Sequence, residues 1–456
     1  MNRYLLKIYI LVFSISIFMF SNAFGAADSV RFSVGTARMD ITPDARVKNW
    51  VTGKPYEGIT DSLSVSAIVL SDGENKVVMV SWDLVDAGES ATDEVRKRVS
   101  SKLDIDKANI WVSGTHNHSA PWSPVYNEGY RGKERDTWWA IRYMPEQNED
   151  PFFKKWMEYL MDQTLKAVTV ANESLQETTV WIGRADASEF MNNRRPRAPQ
   201  WGVAEDNTPK GYGYKHEAWN PKVLPGGFSY GPLDRTLSLV SFRDDKGNNI
   251  VSFFNTAIHA VSIYPYSNAI SSDWPGEAAK KIGARIGGQA VFFQGAAGDV
   301  NPWKRGSQAV KEMGEGIADL AEAAFQYSVR LTNSELRVYT AKIGLPLNEN
   351  GKERTGMDHV DAEVKLITMG PLAFVSLPGE PLTDLGKSIR EHSSFPQTIV
   401  LGYSNGNGVH YVGMPCEQKF GGYEMTMGTV GEKEAGIMLV ETANRLLDQA
   451  YEDVKK

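Results

Sequence analysis

The sequence predicts a mixed α/β (α+β) protein in which central β-sheets are covered by helices, and three observations lead there. Apolar runs of strand length recur along the chain, at Ser64–Ser71, Val77–Trp82, Ile110–Ser113, Leu237–Phe242, Ile250–Asn255, Ala290–Phe293, Ala373–Leu377 and Thr398–Tyr403. Helical stripes interrupt them: Phe153, Trp156, Met157 and Leu160 form one; Val310, Met313, Ile317, Leu320 and Ala324 a second; Ala435, Met438, Leu439, Leu446 and Ala450 a third. The chain of 456 residues is 42% hydrophobic and 23% charged, an ordinary globular composition with length enough for a large core. Strands interleaved with helices bury their apolar faces by layering one on the other.

The N-terminus reads as a secretory signal. Arg3 and Lys7 precede an apolar stretch from Ile8 to Phe20, shorter than the roughly 20 residues of a membrane span, and the small residues around Gly25 and Ala26 offer a cleavage site. Cleavage is placed after Gly25, with residues 1–25 as the leader and 26–456 as one large domain, because no repeat, low-complexity tract or linker divides the rest. An uncleaved anchor is the alternative reading of the same stretch. Losing the leader removes two bases and no acid, leaving 47 bases against 56 acids, a charge of −9 that does not invite nucleic acid. Cys416, the single cysteine, cannot form an internal disulfide, and no cysteine follows the leader to carry a lipid anchor. An exported chain of this kind, periplasmic or secreted and bacterial in character, is held by its core with or without a bound metal.

Two long stretches, 121–150 and 194–234, resist the strand and helix pattern and carry Trp122, Trp138, Trp139, Trp201, Tyr212, Tyr214, Trp219 and Tyr230. Long loops in a compact domain are usually functional. Their rings suit a substrate pocket and equally suit surface loops pinned by a few buried aromatics.

Metal-ligand residue types stand just past the ends of apolar runs. Ile110–Ser113 leads into Gly114, Thr115, His116, Asn117 and His118; Ile250–Asn255 leads to His259; Ala373–Leu377 leads to Pro378, Gly379 and Glu380. Ligands of α/β sheets bind where strands end, so these positions can converge on one rim. If the strand continues, His116 and His118 project from one face. They then share a metal, or one binds it while the other handles protons. A lone histidine among the seven in this chain is as readily a structural residue.

At these residues a family resemblance emerges. The run GTHNHSAP from Gly114 to Pro121 resembles the histidine motif of neutral ceramidases, and VGTARMDITP from Val34 to Pro43 resembles that family's first strand and turn. In the family's order follow Phe254–Ser262, Ser271–Gly276, QGAAGDVNP at Gln294–Pro302, LPGEPL at Leu377–Leu382 and the late tyrosine segment Tyr411–Glu424. The resemblance implies an exported zinc hydrolase that cleaves an N-acyl amide with zinc-activated water. It implies His116, His259, Glu380 and Tyr411 as zinc ligands and His118 as the acid–base group. Arg194 and Tyr423 would contact the scissile carbonyl or the tetrahedral intermediate. Two imidazoles and a carboxylate are ordinary zinc ligands, whereas Tyr411 rests on the resemblance alone.

Three departures bear on substrate. Asn301 stands where the family has serine, so no hydroxyl is available there for acyl transfer, although a carboxamide can still donate to an oxyanion. The sequence ends at Lys456, where the family continues into a C-terminal sandwich, and beyond Arg194 the run Arg195, Pro196, Arg197 has little likeness. Aromatic, polar loops suit a small-molecule substrate more polar than ceramide, such as an acylated amino sugar, though lipid and glycan-derived substrates both remain within the class. Two further readings stand beside this one: a zinc-dependent carbohydrate esterase, and an inactive exported binding protein of the same fold.

Overall fold

The computed structural model describes residues 32–126, 150–199, 228–332 and 335–455. The proposed leader lies outside them, as do Trp138, Trp139, Trp201, Tyr212, Tyr214 and Trp219. The mixed α/β class expected from the sequence is the one that forms. Its larger sheet contains β1 (Phe32–Asp40), β2 (Ser64–Ser71), β3 (Lys76–Trp82), β4 (Ile110–Gly114), β5 (Gln176–Asp186), β6 (Thr236–Arg243), β7 (Asn249–Thr256) and β8 (Gln289–Gln294). Across the sheet these lie in the order β8, β7, β6, β5, β1, β2, β3, β4, with a two-residue strand, Val329–Arg330, beside β5. The smaller sheet contains β9 (Leu336–Pro346), β10 (His359–Met369), β11 (Leu372–Ser376) and β12 (Gln397–Leu401), in that order.

Period-two patterning assigns the two faces. On β2, Val65, Ala67 and Val69 point to one apolar cluster and Ile68 and Leu70 to another; on β3, Val78, Val80 and Trp82 oppose Val77 and Met79 in the same way. The second set meets Ile367, Met369, Leu372 and Phe374 of the smaller sheet, so the two sheets pack face to face. At the centre Phe253 stacks on Phe293 at 4.7 Å and meets the edge of Phe374 at 5.1 Å. Each such ring, fully buried, contributes roughly 1.5–3 kcal/mol.

Helices cover the outer faces. In chain order the longer ones are α1 (Glu89–Leu103), α2 (Pro151–Glu173), α3 (Asp273–Ile286), α4 (Ser307–Gln326), α5 (Thr383–His392) and α6 (Glu434–Lys455). Helix α2 starts where the Asp150 side chain accepts from the amides of Phe152 and Phe153, with Pro151 in the first turn. Its buried face, Phe153, Trp156, Leu160, Ala167 and Ala171, lies on β1 and β2. Helix α4 lies on β5 and β6, α3 on β8, and α6 on β9 and β10. Among the described residues no helix is long and apolar enough to cross a membrane.

Three parallel strand pairs interrupt this largely antiparallel frame: β3 with β4, β7 with β8, and β11 with β12. Each is joined through a helix, α1, α3 and α5 respectively, as parallel neighbours require. The larger sheet also curls until β8 returns to β1 and β3, where Ser81 Oγ donates to the Phe292 carbonyl at 2.6 Å and Arg38 Nη2 to the Ala290 carbonyl at 2.5 Å.

Gly35 sets how closely α2 seats on β1: a Cβ there would lie 1.8 Å from the Ala171 carbonyl oxygen. The obstacle is backbone, so it cannot swing away. Gly35→Ala is expected to destabilise the protein by about 3 kcal/mol, the upper part of the range for overpacking, seen as a lower urea midpoint with an unchanged slope.

Candidate metal centre

The carboxyl ends of the three helix-linked parallel pairs open toward one place, and the candidate residues stand on the turns that leave them. His116 follows β4, His259 follows β7 and Glu380 follows β11. The first turn is fixed by backbone bonds, Thr115 N to Trp82 O at 2.9 Å, Asn117 N to Leu84 O at 3.1 Å and His118 N to Ala260 O at 3.3 Å. Between the two histidines, Asn117 Nδ2 donates to Ser271 O at 2.5 Å. The second turn is tied by His259 N to Val300 O at 3.0 Å and by the Trp274 indole, which donates to His259 O at 2.9 Å. The third is tied by Glu380 N to His410 O at 2.8 Å.

The strand does not continue through the histidine pair. It ends at Gly114, and His116 adopts φ 61°, so the two rings reach each other by a turn of the backbone. They meet edge to face with centroids 4.6 Å apart and Nε2 atoms 3.0 Å apart. Tyr403, Asn405 and His410, at φ 52°, 60° and 62°, share the left-handed conformation. Non-glycine residues held there concentrate at functional sites, where the surrounding structure over-determines them.

His116 and His259 are buried, and each donates its Nδ1–H to a backbone carbonyl: Val85 O at 2.9 Å and Ala297 O at 2.7 Å. Those bonds require Nδ1 to carry the proton, which leaves both Nε2 lone pairs free to ligate. Glu380 Oε2 lies 3.0 Å from His116 Nε2 and 3.5 Å from His259 Nε2. Yet neither Glu380 Oε2 nor His259 Nε2, both fully enclosed, makes a hydrogen bond among the described residues. Enclosed polar atoms without partners are rare and call for an ion or water. This donor set, two imidazoles and a carboxylate, is one that zinc takes.

His118 differs from its neighbour. The ring nitrogens of His116, His118 and His259 lie within 4.8 Å of one another, so three imidazoles form an alternative donor set. His118 Nδ1, however, is enclosed without a partner among the described residues, and no carbonyl holds the ring. Trp50 packs edge-on at 5.4 Å and Tyr264 at 5.2 Å. Burial, with His116 and His259 beside it, pushes the imidazole pKa well below its ordinary value. Burial and Arg194 lower that of His259 to about 3.

Glu380 and Tyr411 pair side by side on short parallel strands. Tyr411 is buried, and burial together with Glu380 pushes its phenol up. Arg194 Nη2 donates to the Tyr411 hydroxyl at 3.0 Å, and Nη1 donates to Asn301 Oδ1 at 3.1 Å. Asn301 sits on the short strand Val300–Pro302, paired with Met191–Asn193, which leads into Arg194. Tyr423 is half-exposed with its ring against Tyr411 at 5.6 Å. The structure thus gathers His116, His118, His259 and Glu380 in direct contact, joins Arg194, Asn301 and Tyr411 beside them, and leaves Tyr423 at the edge.

Three residues here carried no spacing signal. Tyr403 lays its ring on His116 at 4.2 Å. Asp299, buried, accepts from the Thr383 amide and hydroxyl at 2.9 and 2.7 Å and from Asn193 Nδ2 at 2.9 Å, tying the Arg194 segment to α5. Glu424, also buried, accepts from Arg194 Nε at 2.7 Å. Only the position of Tyr403, two residues after β12, resembles that of the other candidates.

The neutral/alkaline non-lysosomal ceramidase N-terminal model matches residues 32–321, and the chain belongs to that family. Neutral ceramidase A of Dictyostelium discoideum is 24% identical over 316 residues, 64% of this chain and 38% of that protein. Neutral ceramidase of Oryza sativa subsp. japonica is 23% identical over 257 residues, 55% of this chain and 28% of that one. The chain therefore matches well under half the length of these relatives. The crystal structure of neutral ceramidase from Pseudomonas aeruginosa shares the fold, with a TM-score of 0.69 at 17% identity over 92% of this chain and 75% of that one.

The Tyr403 hydroxyl is enclosed without a hydrogen bond among the described residues, which costs about 1–3 kcal/mol, while its ring fills the space beside His116. In metal-free protein Tyr403→Phe is expected to be neutral or stabilising, and Tyr403→Ala to cost about 3–5 kcal/mol as a cavity. Chemical denaturation of the pair distinguishes the ring from the hydroxyl; a large loss in the phenylalanine variant would reveal a partner for the oxygen.

Proposed function

We propose that this chain is an exported zinc-dependent hydrolase that cleaves an N-acyl amide bond, with residues 26–456 as its catalytic domain. The observation that carries the reading is the contrast between the histidines. His116 and His259 have Nδ1 locked to backbone carbonyls and Nε2 beside the Glu380 carboxylate, as zinc ligands require, whereas His118 Nδ1 has no partner. His116, His259 and Glu380 would hold the ion, with Tyr411 as a fourth donor. Zinc in such a site acts as a Lewis acid and lowers the pKa of water from 15.7 to about 7.

The chain's own groups supply the rest. His118, held by no carbonyl and in contact with His116, takes a proton from the attacking water and returns it to the departing nitrogen. Arg194, whose charge is balanced by buried Glu424, offers N–H donors to the acyl oxygen as negative charge develops there. Asn301 holds Arg194 through Oδ1 and presents no hydroxyl, so water is the nucleophile and no acyl-enzyme forms at this loop. Trp50 and Trp122 pack edge to face at 5.7 Å, and Tyr264 lies beside Trp50 and His118. Rings so close to the acid–base group support a compact substrate more polar than ceramide, such as an acylated amino sugar.

Replacing His116 or His259 by alanine is expected to remove most bound zinc together with activity. His118→Ala is expected to retain zinc while turnover falls about 100- to 10,000-fold. Metal analysis alongside a panel of chromogenic amides and esters, long-chain ceramide and acylated amino sugars tests the whole reading. Zinc lost from His118→Ala but kept by His116→Ala would reverse the assignment. Hydrolysis of esters alone would make the chain an esterase, and efficient cleavage of ceramide without any of the sugars would overturn the polar substrate.

A further inference from the structure

The Arg194 guanidinium has five N–H groups, and the protein uses four of them. Nε donates to Glu424 Oε1 at 2.7 Å, Nη1 to Asn301 Oδ1 at 3.1 Å, and Nη2 to Gly298 O at 2.9 Å and the Tyr411 hydroxyl at 3.0 Å. Among the described residues one N–H, on Nη1, is left over. The side chain keeps 22% of its surface open, whereas that of Glu424 keeps 4%. A planar group with four of its directions committed cannot rotate, so the fifth is fixed as well.

Glu424 is itself held within an alternating row of charges. Its Oε2 faces Arg195 Nε at 3.5 Å; Arg195 Nη1 meets Glu417 Oε2 at 2.7 Å; Arg197 Nη2 meets Glu417 Oε1 at 2.6 Å and also contacts Asp384 of α5. Arg195, Glu417 and Glu424 are all buried. A carboxylate so enclosed and so paired is a rigid acceptor.

We propose that Glu424 is a positioning residue for catalysis: by accepting the Nε–H it orients Arg194 so that the one uncommitted N–H, on Nη1, serves the acyl oxygen of the substrate. The inference rests on the reading of the centre as an N-acyl hydrolase and assigns the atom that does the donating. Glu424 acts entirely through Arg194. Its loss therefore lowers turnover rather than substrate binding, because the oriented donor matters most when the oxygen becomes negative.

A double-mutant cycle on zinc-loaded enzyme, with an amide from the panel that the wild type cleaves, tests this. Glu424→Ala should lower kcat about 100-fold, as expected for a displaced catalytic donor, with KM changed by less than about threefold and zinc content intact. Glu424→Gln, which keeps the shape and one acceptor oxygen, should restore much of the rate. Added to Arg194→Ala, the Glu424→Ala change should have almost no further effect, since coupled residues are not additive. Multiplying effects, or a normal kcat per folded enzyme in Glu424→Ala, would overturn the proposal.

An independent readout needs no turnover. In zinc-free protein labelled with 15N-arginine, the Arg194 Nε–H signal should be protected from solvent exchange in wild type and Glu424→Gln and exchange rapidly in Glu424→Ala. Equal exchange in wild type and Glu424→Ala would also overturn the pairing. A wild-type enzyme inactive on every amide would instead defeat the reading of the site, with the exchange measurement still deciding whether Glu424 orients Arg194.

Discussion

The packing of the four-stranded sheet on the larger one is the interaction on which the centre depends. Glu380 leaves a strand of the smaller sheet, and both imidazoles that face it leave strands of the larger. Nothing in either sheet alone brings the carboxylate to 3.0 Å from His116. The contact of Phe253, stacked on Phe293, with Phe374 fixes the offset between the layers, and well-packed cores resist small shifts. A hydrophobic junction some distance from the polar residues thereby sets their separation.

The three parallel pairs do the complementary work. Each strand–helix–strand unit returns the chain so that its turns emerge at the carboxyl ends, and the three units point those ends the same way. The histidine turn binds the His259 turn through His118 N to Ala260 O at 3.3 Å, and the loop after β8 joins the His259 turn to the Glu380 turn through His259 N to Val300 O and Gly298 N to Pro381 O, at 3.0 and 2.9 Å. The ligand side chains are mounted on backbone that is itself cross-linked between layers.

Much of this was legible in the residues. Every apolar run chosen as a strand lies within or overlaps a strand of the structure, and His116, His259 and Glu380 stand where those runs end. Their convergence was only a possibility, because the order of strands and the seating of one sheet on another leave no periodicity. Arg194, Asn301, Tyr411 and Tyr423 came from resemblance; Arg194 follows a strand of three residues, Asn301 and Tyr411 lie within strands of three and two, and Tyr423 follows the 3-10 helix Pro415–Phe420, all too short for a pattern. The β9–β10 hairpin escaped because it alternates apolar residues with Arg337, Lys342, Asp361 and Glu363, the mark of a strand with a wet face, which a search for continuous apolar runs passes over. Glu424 and Asp299 escaped because a buried carboxylate announces itself only through its partners.

The left-handed backbone at His116 has a consequence for how such a centre persists. A histidine in this conformation is strained by roughly 1–3 kcal/mol, and asparagine or glycine at the same place would relieve part of that strain. Replacing the histidine would therefore free the turn energetically while removing a candidate donor from the centre. Folding and function pull in opposite directions at this one position: drift without selection for activity favours a sturdier descendant that has lost the imidazole. The imidazole remains only while its chemistry is selected.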